Sequence, residues 1–360
     1  MAYPESVSRK RSSVTIYDVA THAGVSAMTV SRVLNESASV RASTREKVLA
    51  SITALDYRAN VQARSLRPGR TSKLVGAVIT NIDNPYYSRL LLGIEDALRE
   101  ADRRVVVGMT HGEIDEEKRI VQDLMGHQVE GLIVVPAGPE TSHLTPAALR
   151  HMPLVLASRS SDAALDADTV VIADREGMRD GVRRALAAGF RRVIFLGGPT
   201  WISTAQRRYR GYVDALTAAG ITVDPALVRR DCTDTSSSER AMRDLLTVPG
   251  GFDAVVTTNN RVSLGALRAL LAHDRTARPP LIAMDGFEAA GLVDYPMLVI
   301  DHDSRELGRT AGELLRARFD DAAEEESSES GRLVVLPTSL HSYGGGLEGG
   351  PGGRDLPTGE

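Results

Sequence analysis

Residues 14–35 read VTIYDVATHAGVSAMTVSRVLN, and this stretch predicts two short helices joined by a tight turn. Thr15 can cap a first helix over residues 16–23, because its hydroxyl can accept a hydrogen bond from an amide of the first turn. Gly24 ends this helix, since glycine readily adopts the left-handed conformation found at helix C-termini. The chain is therefore expected to change direction sharply at Gly24.

Ser26 can cap the second helix, over residues 27–35, in the same way. Ser43 and Glu46 form a capping box, which predicts a third helix over residues 44–55. The spacing of the apolar residues lets the three helices share one small core, made of Val19, Ala20, Ala23, Val25, Val30, Val33, Val48, Ile52 and Leu55.

The composition is that of an ordinary globular protein. The 360 residues are 42% hydrophobic and 25% charged, which excludes collagen-like and wholly disordered chains. The single cysteine, Cys232, can form neither an internal disulfide nor a cysteine-rich zinc site. Residues 1–11 lack the apolar segment of a secretory signal, and no run approaches about 18 uninterrupted apolar residues. We therefore expect a cytoplasmic protein without a membrane span.

Charge is distributed unevenly along the chain. Residues 1–70 hold 11 Lys and Arg against 5 Asp and Glu, whereas the remainder holds 32 against 42. A basic head on an acidic body suggests that only the head meets a polyanion. The alternative is that the charges of a small domain merely keep it solvated.

From Leu74 onward, short apolar runs alternate with amphipathic stretches as far as Leu336. This alternation is typical of parallel β-sheets covered by helices on both faces, and the length allows two stacked α/β lobes. Ligands of such folds bind at the carboxyl ends of the strands.

The sequence thus predicts four parts. Residues 1–58 form a helical head, and residues 59–73 form a linker with a segment too short to be helical on its own. Residues 74–343 form the two-lobed body, with crossings between lobes near 173, 301 and 331. Residues 344–360 form a flexible glycine-rich tail, and their GxGxxG match is rejected as a nucleotide site because no helix follows it.

The second helix of the head carries the side chains that can meet a partner. Ala27, Met28 and Arg32 lie near its exposed start and outer face, and the major groove of DNA admits a helix with its first residues at the base edges. Together with the basic charge, this arrangement indicates a DNA-reading head.

The run T-I-x-D-V-A-x-x-A-G-V-S-x-x-T-V-S-R-V-L-N, with TREKV at 44–48 and YRANVQARSL at 57–66, resembles the lactose-repressor (LacI/GalR) family of bacterial transcription regulators. The resemblance extends to about Gly344. It implies an all-α helix-turn-helix head, an α/β body of two lobes similar to periplasmic sugar-binding proteins, and a homodimer on a pseudo-palindromic operator. It further implies a repressor whose DNA affinity a small molecule, expected to be a sugar or sugar derivative, controls from between the lobes.

The resemblance also assigns DNA contacts. It implies base readout by Ala27, Met28 and Arg32, where Arg32 can pair with guanine and Met28 can touch a thymine methyl. The phosphate contacts that it implies are Thr15, Tyr17, Ser26, Thr29, Ser31 and Asn35. Each of these taken singly is equally well explained as a helix cap or a solvated surface residue.

In the linker the resemblance implies a hinge helix with Asn60, Ala63 and Leu66 at the DNA. Ala63 permits two hinges to approach closely, and Leu66 is placed to enter the minor groove as an apolar wedge, which kinks the duplex. Because one hinge alone is unstable, this arrangement requires a dimer. The alternative for Leu66 is packing onto the body.

The effector contacts implied for the body are Tyr86, Tyr87, Arg159, Arg208, Asn259 and Glu288. Glu288 replaces an aspartate usual in the family, and a slipped alignment would put Asp285 in its place. Asn260 also replaces a usual aspartate, and the stretch around Cys232 lacks an aromatic that often stacks on the ligand. Surface pairing of Arg208 and core packing of the two tyrosines are the alternatives.

Two other classes of function compete with this interpretation. A solute-binding protein without a DNA role would account for the body but not for the basic head. An enzyme is not expected, because GxSxG, Walker and HExxH motifs are absent and the eight histidines lack metal-ligand spacing. We therefore expect no cofactor and no metal. Release and tightening of DNA by the effector are both compatible with the sequence.

Overall fold

The computed structural model describes residues 14–34, 40–57, 72–161, 165, 167–273, 278–323 and 331–347. The chain divides into two units, Met1–Ser72 and Lys73–Glu360. The predictions for Asn35, Asn60, Ala63 and Leu66, the hinge itself and the tail beyond residue 347 lie outside the described residues.

The described part of the first unit contains helices α1 (Ile16–Ala23), α2 (Ala27–Leu34) and α3 (Ala42–Ala54). Thr15 caps α1: its backbone N–H donates to the Asp18 carboxylate at 2.8 Å, and the Asp18 N–H donates to the Thr15 hydroxyl at 3.4 Å. Gly24 ends α1 with φ +66°, a conformation that costs glycine little. The predicted turn between the two helices is confirmed.

The predicted start of the third helix is wrong by two residues. Helix α3 begins at Ala42, with Arg41 as an N-cap that makes no side-chain capping bond. Ser43 therefore already lies in the first turn, so it does not form the expected capping box with Glu46. The shared core is present: the fully buried residues are Val19, Ala20, Val30, Val33 and Val48.

The second unit contains two six-stranded sheets. In the first lobe the strand order is β11-β5-β4-β3-β1-β2, and every pairing is parallel. These strands are β1 (Leu74–Ile79), β2 (Arg104–Met109), β3 (Gly131–Val134), β4 (Leu154–Ala157), β5 (Asp168–Ile172) and β11 (Leu333–Leu336).

In the second lobe the order is β12-β10-β9-β8-β6-β7, and the pairing of β10 with β12 is antiparallel while the others are parallel. Its strands are β6 (Val193–Leu196), β7 (Val228–Arg229), β8 (Ala254–Thr257), β9 (Leu281–Met284), β10 (Met297–Asp301) and β12 (Ser339–Tyr343). The expected class, two α/β lobes with parallel sheets, is confirmed apart from this one edge strand.

The body's helices are α4 (Pro85–Arg99), α5 (Ile114–Gly126), α6 (Asp174–Ala187), α7 (Ser203–Ala218), α8 (Thr235–Leu245), α9 (Asn260–Ala272) and α10 (Ser304–Ala323). Helices α4 and α10, α6 and α7, and α8 and α9 pack as pairs. No helix among the described residues has the length and apolar character needed to cross a membrane.

The chain passes between the lobes after β5, after β10 and between β11 and β12. The first two passages fall close to the expected positions 173 and 301. The third comes later than the expected 331, because β11 still pairs with β5 in the first lobe as far as Leu336.

Candidate functional site

A cavity of about 380 Å³ lies where the carboxyl ends of both sheets meet. In the first lobe its lining includes Thr80, which follows β1, and Ser158, which follows β4. In the second lobe it includes Gly198, Thr258 and Asp285, which follow β6, β8 and β9. The expectation of a site at the ends of parallel strands agrees with this position.

Three non-glycine residues of this lining adopt the left-handed backbone conformation: His111 (φ +52°), Ser158 (φ +67°) and Asp285 (φ +65°). Each is held there by its own N–H, which donates to Thr80, Val170 and Ile300 carbonyls respectively at 2.8–2.9 Å. Such backbone strain costs on the order of 1–3 kcal/mol per residue and clusters at functional sites.

Arg208 on α7 is the centre of a buried ionic network. Its Nε donates to the Asp174 carboxylate at 2.6 Å. Its Nη1 and Nη2 face the two oxygens of Asp285 at 3.2 and 3.1 Å, and Nη1 also donates to the Thr258 carbonyl. All three charged side chains are at most about a tenth exposed.

The network limits what Arg208 can offer to a ligand. Burial opposes its charge, but the nearby Asp285 and Asp174 carboxylates outweigh burial and raise the pKa of the guanidinium. Three of its five N–H groups donate hydrogen bonds, namely the Nε–H to Asp174 and the two Nη1–H groups to Thr258 and Asp285, while Nη2 lies 3.1 Å from Asp285 Oδ1 in an ion pair. Nη2 pairs with Asp285 by charge only, and it is the part of the guanidinium that can still donate to a bound molecule.

Tyr86, Tyr87 and Arg159 also line the cavity, as the sequence predicts. The two tyrosine rings meet edge-to-face with centroids 5.0 Å apart, and burial raises the pKa of Tyr86 well above its usual range. Arg159 donates from Nη1 to the Pro136 carbonyl at 2.8 Å and from Nη2 to the Tyr87 hydroxyl at 3.4 Å. Its guanidinium thus fixes the orientation of the Tyr87 hydroxyl.

Asn259 lines the cavity and caps α9, because its Oδ1 accepts from the Val262 N–H at 2.9 Å. The next residue joins the lobes: Asn260 Nδ2 donates at 2.7 Å to Asn84 Oδ1, which also caps α4. Sequence reasoning missed this bond, because the two asparagines are 176 positions apart.

Glu288 is placed outside the cavity. It is exposed and opens a 3₁₀-turn, Glu288–Gly291, on the rim of a neighbouring groove. Asp285 lines the cavity instead, because β9 ends at Met284 and Asp285 is the residue at its carboxyl end. The structure therefore favours the alternative alignment, with Asp285 in the role expected of Glu288.

Two residues of the lining, Trp201 and Cys232, were not predicted as effector contacts. Trp201 lies at the cavity with 57% of its surface exposed. Cys232 also lines it, and burial raises the pKa of this thiol to about 12, so that it is neutral. The charged lining residues balance in number: the cations are Arg159, Arg208 and Arg261, and the anions are Glu113, Asp234 and Asp285. No group of three His, Cys, Asp or Glu side chains within the described ranges could hold a metal ion.

In the first unit, Met28 is 64% and Tyr17 72% exposed, and Arg32 is also exposed. Thr15 and Ser26 are exposed as well, whereas Thr29 is half-buried and hydrogen-bonds to the Ser26 hydroxyl at 2.9 Å.

Two predicted contacts of this unit are less accessible. Ser31 is only 8% exposed, and Ala27 is half-buried against the helical core. Both side chains face inward because they share a side of α2 with its buried residues. The accessible face of α2 therefore carries Met28 and Arg32.

Comparison with family models identifies both units. Residues 15–60 match the model described as bacterial regulatory proteins, lacI family. Residues 72–336 match the model described as periplasmic binding proteins and sugar binding domain of LacI family.

Individual proteins resemble nearly the whole chain. The catabolite control protein A of Priestia megaterium is 31% identical over 309 residues, which is 84% of this chain and 91% of the relative. The structure of the lac repressor dimer bound to operator and the anti-inducer ONPF superimposes with a TM-score of 0.76 at 26% identity, covering 92% of this chain and 99% of that one. The complex of the transcriptional regulator CelR with cellobiose gives a TM-score of 0.66 at 28% identity, covering 92% and 100%.

Proposed function

The chain belongs to the LacI family of bacterial transcriptional regulators, and we propose that it is a homodimeric repressor whose operator affinity is set by a neutral sugar bound between the lobes. The observation that carries the proposal is the combination of an accessible face of helix α2 in one unit with a charge-balanced cavity in the other.

DNA recognition is assigned to the accessible face of α2. Arg32 is placed to pair with guanine, and Met28 is placed against a thymine methyl. Thr15, Tyr17, Ser26 and further hydroxyls near the helix ends would hold phosphates, which position the head without specifying sequence. The lac repressor that resembles this chain binds operator as a dimer, which supports two copies of the head on a pseudo-palindromic site.

The hinge roles of Asn60, Ala63 and Leu66 remain part of this proposal, as does the phosphate contact of Asn35. Binding to chromosomal DNA places the protein in the cytoplasm. We propose no catalytic activity, because family members act as regulators and the cavity's buried arginine is engaged by two carboxylates.

The charge balance of the cavity argues for a neutral ligand. Three cations and three anions line the cavity, the buried Arg208 is paired with carboxylates, and the half-buried Arg159 donates to the Pro136 carbonyl. A phosphate would bring negative charge beside Asp285, whereas sugar hydroxyls can donate to its oxygens and accept from Asn259. The bound cellobiose of CelR supports a carbohydrate in this position.

Lobe closure supplies the coupling in this proposal. Among the described residues, hydrogen bonds cross between the lobes from Asn260 to Asn84 at 2.7 Å and from Arg207 Nη1 to Ser160 Oγ at 2.8 Å. A ligand that stabilises these contacts shifts the population of lobe arrangements only by its differential affinity for them. The shift reaches the DNA through the linker between the two units.

The test uses the full chain and pseudo-palindromic sites from promoters. Fluorescence anisotropy measures binding to each site and to a scrambled duplex, and calorimetry measures binding of D-glucose, D-galactose, D-ribose and cellobiose. Glucose 6-phosphate and galactose 1-phosphate serve as charged counterparts. We expect preference for one promoter site and a neutral sugar bound about tenfold or more tightly than its phosphate. Equal binding to all duplexes, or binding of phosphates alone, would contradict the proposal.

The solute-binding alternative makes a different prediction. A protein of that class would bind the same sugars but show no discrimination between promoter and scrambled duplex. Operator discrimination therefore separates the two functions in a single experiment.

A further inference from the structure

Trp201 differs from the other residues of the cavity in the exposure of its large apolar side chain. It is the one tryptophan of the chain. It is 57% exposed, and among the large apolar side chains exposed in the described residues it is the one that lines this cavity. Exposure of so large an apolar surface is unfavourable unless something covers it.

The turn that carries Trp201 is held firmly at both ends. Pro199 and Ile202 close it, with the Ile202 N–H donating to the Pro199 carbonyl at 3.2 Å. The Gln206 side chain on α7 donates to the Thr200 carbonyl at 2.7 Å. The indole therefore belongs to the second lobe, and it lies just before α7, the helix that contains Arg208.

The other two large aromatic residues of the lining are less free to cover a ligand. Tyr87 is 8% exposed, and the half-buried Tyr86 ring packs against Tyr87 and His302 at centroid distances of 5.0 and 5.6 Å. Both belong to the first lobe. The cavity thus has packed aromatic rings on one lobe and an open indole on the other.

We propose that Trp201 is a specificity-determining residue that stacks on the apolar C–H face of a cyclic sugar in the cavity. This inference rests on the proposed function, since it assumes that the ligand is a sugar. The hydroxyl edge of the ring faces the polar groups of Asn259 and Asp285, while the indole covers a face that hydrogen bonds cannot satisfy.

The consequence is selection by ring geometry. A pyranose with several axial hydrogens on one side presents a flat apolar face to the indole, and an open-chain polyol with the same hydroxyls does not. Stacking therefore favours the cyclic sugar over the linear alditol. Because the turn belongs to the second lobe, stacking also favours the arrangement in which that lobe lies over the ligand.

The experiment compares the full-length protein with Trp201→Ala, Trp201→Phe and the control Leu271→Ala, which removes an exposed apolar side chain on α9 away from the cavity. Calorimetry measures the Kd of each protein for the neutral sugar that the wild type binds most tightly among D-glucose, D-galactose, D-ribose and cellobiose. It also measures the Kd for the open-chain alditol of the monosaccharide unit of that sugar, which for cellobiose is D-glucitol. Melting temperatures without ligand show that each variant is folded.

We expect Trp201→Ala to raise the sugar Kd about tenfold or more and to reduce the preference for sugar over alditol. Trp201→Phe should retain most of the affinity, and Leu271→Ala should bind like the wild type. In the wild type the sugar should shift the tryptophan emission to shorter wavelength and protect it from iodide quenching, since the indole then leaves water.

A sugar that binds Trp201→Ala as tightly as the wild type would overturn this inference and leave the proposed function intact. Failure of every sugar to bind the wild type would overturn both. The two results are distinguished by the wild-type titration alone.

Discussion

Arg32 lies on the accessible face of α2, free of the core that buries Val30 and Val33. We predict that Arg32→Ala lowers the preference for operator over scrambled duplex by about tenfold or more, the value of a good bidentate base contact. Anisotropy titrations with both duplexes measure this ratio. Lys47→Ala removes an equal charge at an exposed position of α3, and it should weaken binding to both duplexes by the same factor. An unchanged ratio for Arg32→Ala would remove Arg32 from the reading face.

Asp285 joins the buried Arg208 to the cavity. We predict that Asp285→Asn raises the sugar Kd about tenfold or more, because an acceptor for a hydroxyl is lost and Arg208 is left with one carboxylate. Operator binding without sugar should persist. Calorimetry provides the Kd, and Asp214→Asn, which breaks the exposed pair with Arg175, is the matched control. Wild-type affinity in Asp285→Asn would return the role to Glu288.

Asp168 is a buried carboxylate held by Arg318 and Arg332, with Arg318 Nε and Nη2 at 2.9 and 2.8 Å from its oxygens. Burial raises its pKa, but the hydrogen bonds from the two arginines outweigh burial, and the pKa is lowered. A lowered pKa stabilises the fold above about pH 4, the unfolded value, and the contribution is lost as the pH falls through the folded value.

We therefore predict that Asp168→Asn costs on the order of 3 kcal/mol at pH 7, as expected when a buried ion pair loses one partner. Below pH 4 the difference between variant and wild type should shrink. Denaturant unfolding of the full chain at pH 7 and pH 3.5 measures both free energies. A difference that stays constant with pH would contradict the assignment.

Among single residues, the sequence predicted the helix caps at Thr15 and Gly24 well, because capping depends on neighbours in the chain. It also placed Tyr86, Tyr87, Arg159, Arg208 and Asn259 at one cavity. The prediction was wrong for Glu288, because a shift of three residues in the alignment exchanges it with Asp285 at the end of β9. Trp201 was not predicted, because a residue in a turn belongs to no periodic pattern.

The helix pairs of the body cross at glycines. A Cβ on Gly93 of α4 would lie 1.9 Å from the Arg305 carbonyl oxygen, and a Cβ on Gly308 of α10 would lie 2.0 Å from the Leu90 carbonyl oxygen. The backbones of α4 and α10 are therefore in direct contact. Gly211 on α7 and Gly265 on α9 meet α6 and α8 in the same manner.

We predict that Gly93→Ala destabilises the protein by about 2 kcal/mol or more, since the new methyl group would meet backbone atoms of α10 and the helices must separate. Gly126→Ala, at the exposed end of α5 with nothing within 4 Å of the new Cβ, should be neutral or slightly stabilising. Thermal unfolding distinguishes the two. Equal melting temperatures would show that the α4–α10 crossing tolerates a methyl group.

Apolar periodicity indicates most elements of the body, but it is weak in two of them. Helix α8 reads TSSSERAMRDL, and its run of serines is typical of a loop, although Asp234 and Ser237 form a capping box. Strand β12, SLHSY, is an edge strand whose polar residues conceal its pairing with β10. Long-range pairing supplies the stability that the local sequence does not indicate.

The whole molecule has two units with separate cores in one chain, and the proposed regulation requires that binding to one unit changes binding to the other. The alternation of strands and helices predicted the two α/β lobes, and the capping residues and apolar spacing predicted the three helices of the head. The bonds that join the lobes, such as Asn84 to Asn260, depend on the tertiary fold and could not be predicted from spacing.

The most direct test of the account is the coupling between sugar and operator. Anisotropy titrations of the promoter duplex with the full-length protein, with and without saturating sugar, give the factor by which sugar changes the operator Kd. Calorimetry with and without saturating duplex gives the factor by which operator changes the sugar Kd. We expect both factors to be equal and about fivefold or larger, in whichever direction the effector acts. If sugar and operator both bind but neither changes the Kd of the other, the proposed regulation is contradicted.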